Sequence, residues 1–402
     1  MSAHSAWVTA ALAVAAIPFL GASLYLALLA LLARHTPSAA ASTSTRFDVV
    51  VPAHNEESGI QETLRSLRAM DYPRDRFRIV VVADNCIDRT ADRARDAGVV
   101  VLERTDSLRR GKGYALSLAY EWSLAAGLAD AVVVVDADTV VSSNLLSAFS
   151  RRFDDGALAV QAEYGVSNSE RSWRTRLLLI AFTLFHAVRS SARERLGLST
   201  GLRGNGMAFT AHLLRTTPSK AYSIVEDVEY GCALGLEGIR VAYAGDAWVL
   251  SDMPATSTDA RSQRQRWEGG RLALVREYVP ALVSRGIVRR SAMMLDLAID
   301  LLIPPLSTIG LSIAIGLALS LGTYAAAVTT GMPAVLWTAA LLALSAYVAR
   351  GAVMARVGPR VLLDLAWAPV YAVWKLTLLF RRSGSPRGAW VRTSRKPFTK
   401  GT

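Results

Sequence analysis

Asp136 and Asp138 stand two residues apart at the end of AVVVVDAD (131–138). Carboxylates at i and i+2 on a strand end project to one side. An open strand end also leaves room for a cation, and a hard ion such as Mg²⁺ or Mn²⁺ takes one or two carboxylates plus phosphate oxygens and water. His54, His186 and His212 have no metal spacing to one another, and Cys86 and Cys232 stand far apart, so zinc is not indicated. Aspartates are also common in plain turns, so the pair alone says little. Two other apolar runs end in polar residues as well. FDVVVPAH (47–54) runs into His54-Asn55-Glu56, and RIVVVAD (78–84) into Asp84-Asn85.

Those three runs must be positioned by a sheet. After the first comes NEESGIQETLRSLRAM, with Ile60, Leu64, Leu67 and Met70 at helical spacing. Near-continuous apolar strands alternating with helices predict a parallel sheet covered on both faces. Ligands of such sheets bind beyond the carboxyl ends of the strands. Lys112 lies in Arg-Arg-Gly-Lys-Gly, where glycines allow close backbone approach, although a solvated basic loop reads the same way. Glu56 sits in Asn55-Glu56-Glu57, which equally suits a helix N-terminus. Gln263 and Arg266 are three apart and so adjacent on one helix face. Arginine offers a fork of donors to phosphate oxygens, and Trp267 offers an aromatic face. Arg261, Arg264, Arg266, Arg271 and Arg276 would also draw an interfacial helix to anionic lipid.

The chain has 402 residues, 52% hydrophobic and 19% charged, with a mean hydropathy of +0.28. Globular proteins carry roughly 25% charged residues, so the balance leans toward the membrane and excludes disorder and a disulfide scaffold. Residues 7–33 are free of charge and long enough to span a bilayer, and residues 304–352 contain two further apolar stretches. Residues 7–33 are too long for a signal peptide's apolar core and lack its basic start. Lys and Arg are absent before the first span, while Arg34 and Arg46 follow it, which places the middle section on the cytoplasmic side. The basic tail 381–402 then belongs inside too. Residues 281–303 and 359–380 are expected as interfacial helices, the latter lying on the surface or re-entering it. Nothing indicates nucleic acid, and the net charge of +12 fits the tail, a basic helix and an anionic substrate.

VVVPAHNEE (49–57), VVADNCIDRT (81–90), GKGYAL (111–116), VVDAD (134–138), GNGMAF (204–209), VEDVEYG (225–231) and QRQRW (263–267) occur in this order. With these motifs the chain resembles the membrane-bound family-2 glycosyltransferases. More narrowly it is similar to the cellulose synthase, chitooligosaccharide synthase and hyaluronan synthase group. The resemblance implies an α/β GT-A domain over 46–280 that transfers a hexose, with inversion, from a nucleotide diphosphate sugar, a UDP-sugar first. It implies donor contacts from Glu56, Asp84, Lys112, Asp136, Asp138, Gln263 and Arg266. Asp136 and Asp138 would carry Mg²⁺ or Mn²⁺. Gly204, Asn205, Gly206 and Trp267 would border the acceptor. Asp227 falls where the family's base lies, with Val225 in place of the usual Thr or Ser, and Arg266 would act with it in catalysis. Ala83 stands where most members have a second acid, which leaves the base preference open.

Three readings of function follow. A synthase would extend a β-linked polysaccharide or oligosaccharide, which the QxxRW motif favours. A glycolipid synthase would add one sugar to a membrane lipid, which the few spans favour unless a second copy or an accessory export subunit completes a conduit. A scaffold with a dead domain would keep the fold without its acids, yet Asp84, Asp136, Asp138 and Asp227 are all present. In each reading the setting is a multi-pass protein of the cell membrane.

Overall fold

The computed structural model describes residues 3–37, 40–253 and 257–355 together with Asp364, and along 257–269 the backbone alone. The expected elements at 359–380 (apart from Asp364) and 381–402 lie outside the described residues. Two compact units divide the chain. Among the described residues one, an α/β unit, lies within 35–175 and 193–302, and the other, a helical unit, contains 3–34, 176–192 and 303–355.

Eight strands form the sheet of the α/β unit: β1 (Phe47–Ala53), β2 (Phe77–Asp84), β3 (Val100–Arg104), β4 (Ala131–Val134), β5 (Thr139–Val141), β6 (Ala159–Val166), β7 (Met207–Thr210) and β8 (Val241–Ser251). Their spatial order is β3-β2-β1-β4-β7-β6-β8-β5. Strands β3, β2, β1 and β4 are parallel, and β7 then runs antiparallel to both β4 and β6. The β6–β8 pair is parallel again, and β5 closes the edge antiparallel to β8. Successive side chains of a strand face opposite ways. Val49, Val51, Val81 and Val133 accordingly enter a core with Leu64, Leu67 and Phe149, while Val50, Val80, Val82, Val132 and Val134 enter another with Leu116, Tyr120 and Leu213.

Pairing of β4 stops at Val134, opposite Val50, short of the strand end expected at 138. The Val135 N–H still reaches the Val50 carbonyl at 3.0 Å, but the Asp136 N–H bonds to Asn205 Oδ1 at 3.1 Å. That side chain draws the chain off the ladder. Asp136 and Asp138 therefore sit on the link between β4 and β5 rather than on a strand.

In the helical unit, Ala3–Leu32, Leu306–Ala325 and Met332–Met354 are each long and apolar enough to cross a membrane. Residues 176–192 join this unit, so the expected domain 46–280 is not continuous. Their LLLIAFTLFHAV (177–188) carries no acid, Lys or Arg and winds through a π-helical turn at Thr183–Val188. That turn is pinned where Tyr347 Oη donates to the Leu184 carbonyl at 2.8 Å. Back in the α/β unit, a boundary at 280 falls inside the helix Ser257–Val288, and a shorter helix, Ala292–Leu302, follows it. Residues 281–303 are thus the end of one helix and the whole of another.

Candidate active site

At the carboxyl edge, β1 and β2 both leave the sheet through a left-handed asparagine, Asn55 at φ 57° and Asn85 at φ 51°. Asparagine tolerates this region because its short side chain bonds locally. Asn55 Oδ1 accepts from the Ile87 N–H at 2.8 Å, and Asn85 Oδ1 accepts from the Asp106 N–H at 2.9 Å. The tied loops frame a cavity of about 250 Å³ lined by His54, Asn55, Asp84, Asn85, Ile87 and Arg110. Asp84, 1% exposed, receives Arg104 Nη1 on Oδ1 at 2.7 Å, while its Oδ2 is buried with no partner. Leaving such an acceptor unmet costs about 1–3 kcal/mol or more, so the position suits a ligand N–H. Arg104 was not singled out in the sequence. The signal for it was the need of a buried carboxylate for a cation.

Lys112 opens the helix Lys112–Ala126 and is the node of the site. Its Nζ donates to Asp136 Oδ1 at 2.6 Å and to the Gly204 carbonyl, and lies 3.7 Å from Glu226 Oε1. Burial works to lower this ammonium's pKa, but Asp136, Glu226 and Asp227 outweigh it and hold the group charged. At Gly113 an added Cβ would stand 2.2 Å from the Ala221 carbonyl oxygen, so the chain before Glu226 packs directly on this helix start.

Glu226, Asp227 and Glu229 occupy the first turn of the helix Glu226–Leu236, where negative charge is favoured. They point to different partners. Glu226 faces Lys112, Glu229 Oε2 accepts from the Ser223 N–H at 3.0 Å, and Asp227 lies against Gly204. Gly204 adopts φ +81°, and a Cβ there would stand 3.1 Å from Asp227 Oδ2. Burial pushes the Glu226 carboxyl up to about 8. Burial also raises Asp227, opposed by Lys112 and Arg203. An aspartate of raised affinity for protons, set beside an open glycine loop, is suited to general-base work. Gln263, Arg266 and Trp267 lie on the helix Ser257–Val288, their side chains outside the described residues. Gly270 of that helix packs against Val225 and Ile224, and a Cβ there would stand 2.8 Å from Val225 Cγ2. The helix bearing QxxRW thus touches the chain just before Glu226.

Two residues expected at ligands do positional work. Asn205 is fully buried, with Nδ2 donating to Thr139 Oγ1 at 2.8 Å and to Ser251 Oγ at 3.3 Å. Gly206, at φ +67°, abuts Val249 and Ala162. Glu56 gives its carbonyl to the N–H groups of Gly59 and Ile60, starting the helix Ile60–Arg68. Asp138 Oδ1 lies 3.4 Å from Thr139 Oγ1 and 3.5 Å from Ser251 Oγ. Asp136 and Asp138 offer oxygen donors only. Among the described residues no group of three His, Cys, Asp or Glu could hold an ion unaided. Carboxylate oxygens are donors of the kind that Mg²⁺ or Mn²⁺ takes together with phosphate oxygens and water.

Residues 45–270 match a family described as glycosyltransferase-like family 2. The probable glycosyltransferase YdaM of Bacillus subtilis is 25% identical over 243 residues, 58% of this chain and 57% of its own. The β-monoglucosyldiacylglycerol synthase of a Synechocystis species is 29% identical over 230 residues, 55% of this chain and 47% of its own. The chain spans about half the length of such curated relatives. Among solved structures, the mannosyltransferase PcManGT from Pyrobaculum calidifontis, in complex with GDP-Man and Mn²⁺, aligns over 85% of this chain and 97% of its own. Its TM-score is 0.54 at 22% identity, a likeness of fold. That fold is GT-A, in keeping with the mostly parallel sheet described above. Matched over more than half its length, the chain belongs to glycosyltransferase family 2.

Proposed function

We propose that this chain is a membrane-bound inverting hexosyltransferase that uses a nucleotide diphosphate sugar. The observation that carries the reading is the convergence on Lys112, whose Nζ meets Asp136, the Gly204 carbonyl and Glu226, with Asp227 against the same glycine. Asp84 Oδ2 takes an N–H of the nucleobase. Asp136 and Asp138 would hold Mg²⁺ or Mn²⁺ together with the diphosphate. When bound, that ion neutralises charge on the departing nucleoside diphosphate. Lys112 adds a second positive charge beside the phosphates, and Arg266, from the helix packed at Gly270, a third. Asp227 accepts the proton of the acceptor hydroxyl as its oxygen bonds to the anomeric carbon. The carbon–oxygen bond to the diphosphate breaks on the opposite face, which inverts the configuration, and Asp227 then returns the proton to water.

For the acceptor, the QxxRW residues favour a growing β-linked glycan, with Trp267 as the sugar platform. The 29% identity to a glycolipid synthase favours a single transfer to a membrane lipid. Three apolar helices and the flanking basic residues support an α/β unit on the cytoplasmic side of the cell membrane. Purified protein in lipid, supplied in turn with UDP- and GDP-sugars and Mn²⁺ or Mg²⁺, decides by product mass. A ladder of products supports the polymer, and one glycolipid mass supports the lipid acceptor. Neither transfer nor donor hydrolysis with any sugar overturns the proposal.

A further inference from the structure

Two neighbours lining the cavity beyond β1 and β2 each keep one polar atom unspent. Asp84 Oδ2 and Asn85 Nδ2 are buried, and neither has a partner among the described residues. One is an acceptor and the other a donor. The amide's orientation follows from its other end, because the atom that accepts from the Asp106 N–H at 2.9 Å must be the oxygen. The Asn85 backbone is held as well, at φ 51° with its N–H on the Arg104 carbonyl at 2.7 Å. Buried polar groups are nearly always paired, so these two point to a ligand. The groups around them are committed. Asn55 gives Oδ1 to the Ile87 N–H and turns Nδ2 toward His54 Nε2 at 3.3 Å, which leaves His54 Nδ1 to donate to the Asp84 carbonyl at 2.7 Å. Asp84 Oδ1 holds Arg104 Nη1 at 2.7 Å, and Arg104 Nη2 is tied to Asp106 Oδ2 at 3.1 Å and the Arg109 carbonyl at 2.7 Å. Arg110 lines the same cavity with further donors. A ligand therefore meets one free acceptor, Asp84 Oδ2, with donors beside it from Asn85 and the arginines.

We infer that Asn85 is a specificity-determining residue, and that it selects a donor whose base is an imide, uracil or thymine, against guanine. The inference rests on the reading of this cavity as the donor nucleotide's. An imide edge runs carbonyl, N–H, carbonyl. Its N–H goes to Asp84 Oδ2, one carbonyl takes Asn85 Nδ2, and the other faces the arginines. Guanine presents a carbonyl followed by two adjacent donors, N1–H and the N2 amine. A carboxylate takes such a pair with both of its oxygens, and here Oδ1 already holds a guanidinium. The guanine amine would be set against Arg104, donor to donor. Cytosine and adenine carry no ring N–H on that edge to give to Asp84.

The test is equilibrium binding of free nucleoside diphosphates to the full chain in lipid with Mn²⁺, a readout that needs no sugar transfer. The tighter of UDP and dTDP names the donor's nucleotide, and it should bind at least about tenfold more tightly than GDP, CDP or ADP. Methylation of UDP at N3 should remove its advantage. Asn85→Asp keeps an oxygen for the Asp106 N–H and a residue type that tolerates positive φ, but replaces the free donor with an acceptor. Two acceptors suit the paired donors of guanine, so the ratio of UDP to GDP affinity should fall at least about tenfold. A general effect of the added charge on diphosphates cancels in that ratio. GDP bound as tightly as UDP and dTDP by the wild type overturns the inference, as does an unchanged ratio in Asn85→Asp. If Asn85→Asp does not fold, the methylated UDP decides, and affinity equal to that of UDP overturns it. Failure of every nucleotide to bind would sink the donor site itself, and this inference with it.

Discussion

Strands β1, β2 and β4 and the chain around β7 meet at one site but build it differently. In the parallel half, each strand is almost wholly buried and its functional group comes at or just beyond its last paired residue. Asp84 is placed by strand length and register, while Asp136 and Asp138 stand on the link just past β4, with the Asp136 N–H held by Asn205 Oδ1. In the other half, no strand ends in a functional group. Asp227 comes from a helix start, and Gly204 from a left-handed turn whose preceding Arg203 pairs with Asp300 of Ala292–Leu302. The proposed donor side is thus positioned at the ends of ladder strands and the proposed acceptor side by packing of loops against helices. Damage to the first should fall on donor affinity, and damage to the second on turnover.

Asp227→Asn tests the second half most severely. A positioned general base contributes about 10²- to 10⁴-fold, and transfer should fall by that order while nucleotide-sugar binding persists. Binding lost in parallel would show that the two halves are not separable. Chelation is next in size. EDTA should suppress transfer at least about tenfold, with Mn²⁺ or Mg²⁺ restoring it, and Asp138→Asn should raise the metal concentration needed. Activity indifferent to EDTA would leave Asp136 and Asp138 with no ion to carry.

The same contrast explains what could be read from the residues alone. VVV and VVVV runs announce strands buried on both faces, and the acids that follow them are visible at once. Strands β6 and β8 are interrupted by Gly, Gln, Glu or Asp, β5 and β7 are only three and four residues long, and all four are held by non-local partners, so the local pattern does not declare them. The β6–β8 ladder even shifts register between Ala162 and Glu163. Motif order brings out Asp227, Lys112 and Gly204 alike, but not Arg203 or Asp300. Arg203 lies 24 residues before Asp227 in the chain, and Asp300 lies 97 residues beyond Arg203. The apolar run 177–188 is too short to span a bilayer, yet it is long enough to bury with the apolar helices.

Asp84→Asn probes the parallel half. Hydrogen bonds to a charged group contribute about 1.5–3 kcal/mol, so donor KM should rise about 10- to 100-fold with kcat little changed. Measured KM and kcat that fall and rise together would erase the division between affinity and turnover. Gly113→Ala is expected to be milder in donor affinity but costly in fold, since its Cβ would meet backbone at Ala221, not a yielding side chain. A melting temperature lowered by several degrees would register it.

The smallest expected effect is a slope, and it lies where the two halves touch. Burial raises Glu226 from 4.5 to about 8 in the folded chain. The folded state then holds this proton more tightly than the unfolded one, so the contribution is complete below about pH 4.5 and fades as pH climbs to about 8. Melting temperature should decline across that window, and Glu226→Gln, permanently neutral, should flatten the decline. Asp227 is raised by burial in the same sense, but the form the proposed base role needs is the carboxylate. Transfer should accordingly climb with pH as Asp227 ionises, at a pH above the usual aspartate range. A Glu226→Gln variant that keeps the wild-type slope would mean that Lys112 already holds Glu226 ionised, with the acceptor half drawing its charge balance from the donor half's own lysine.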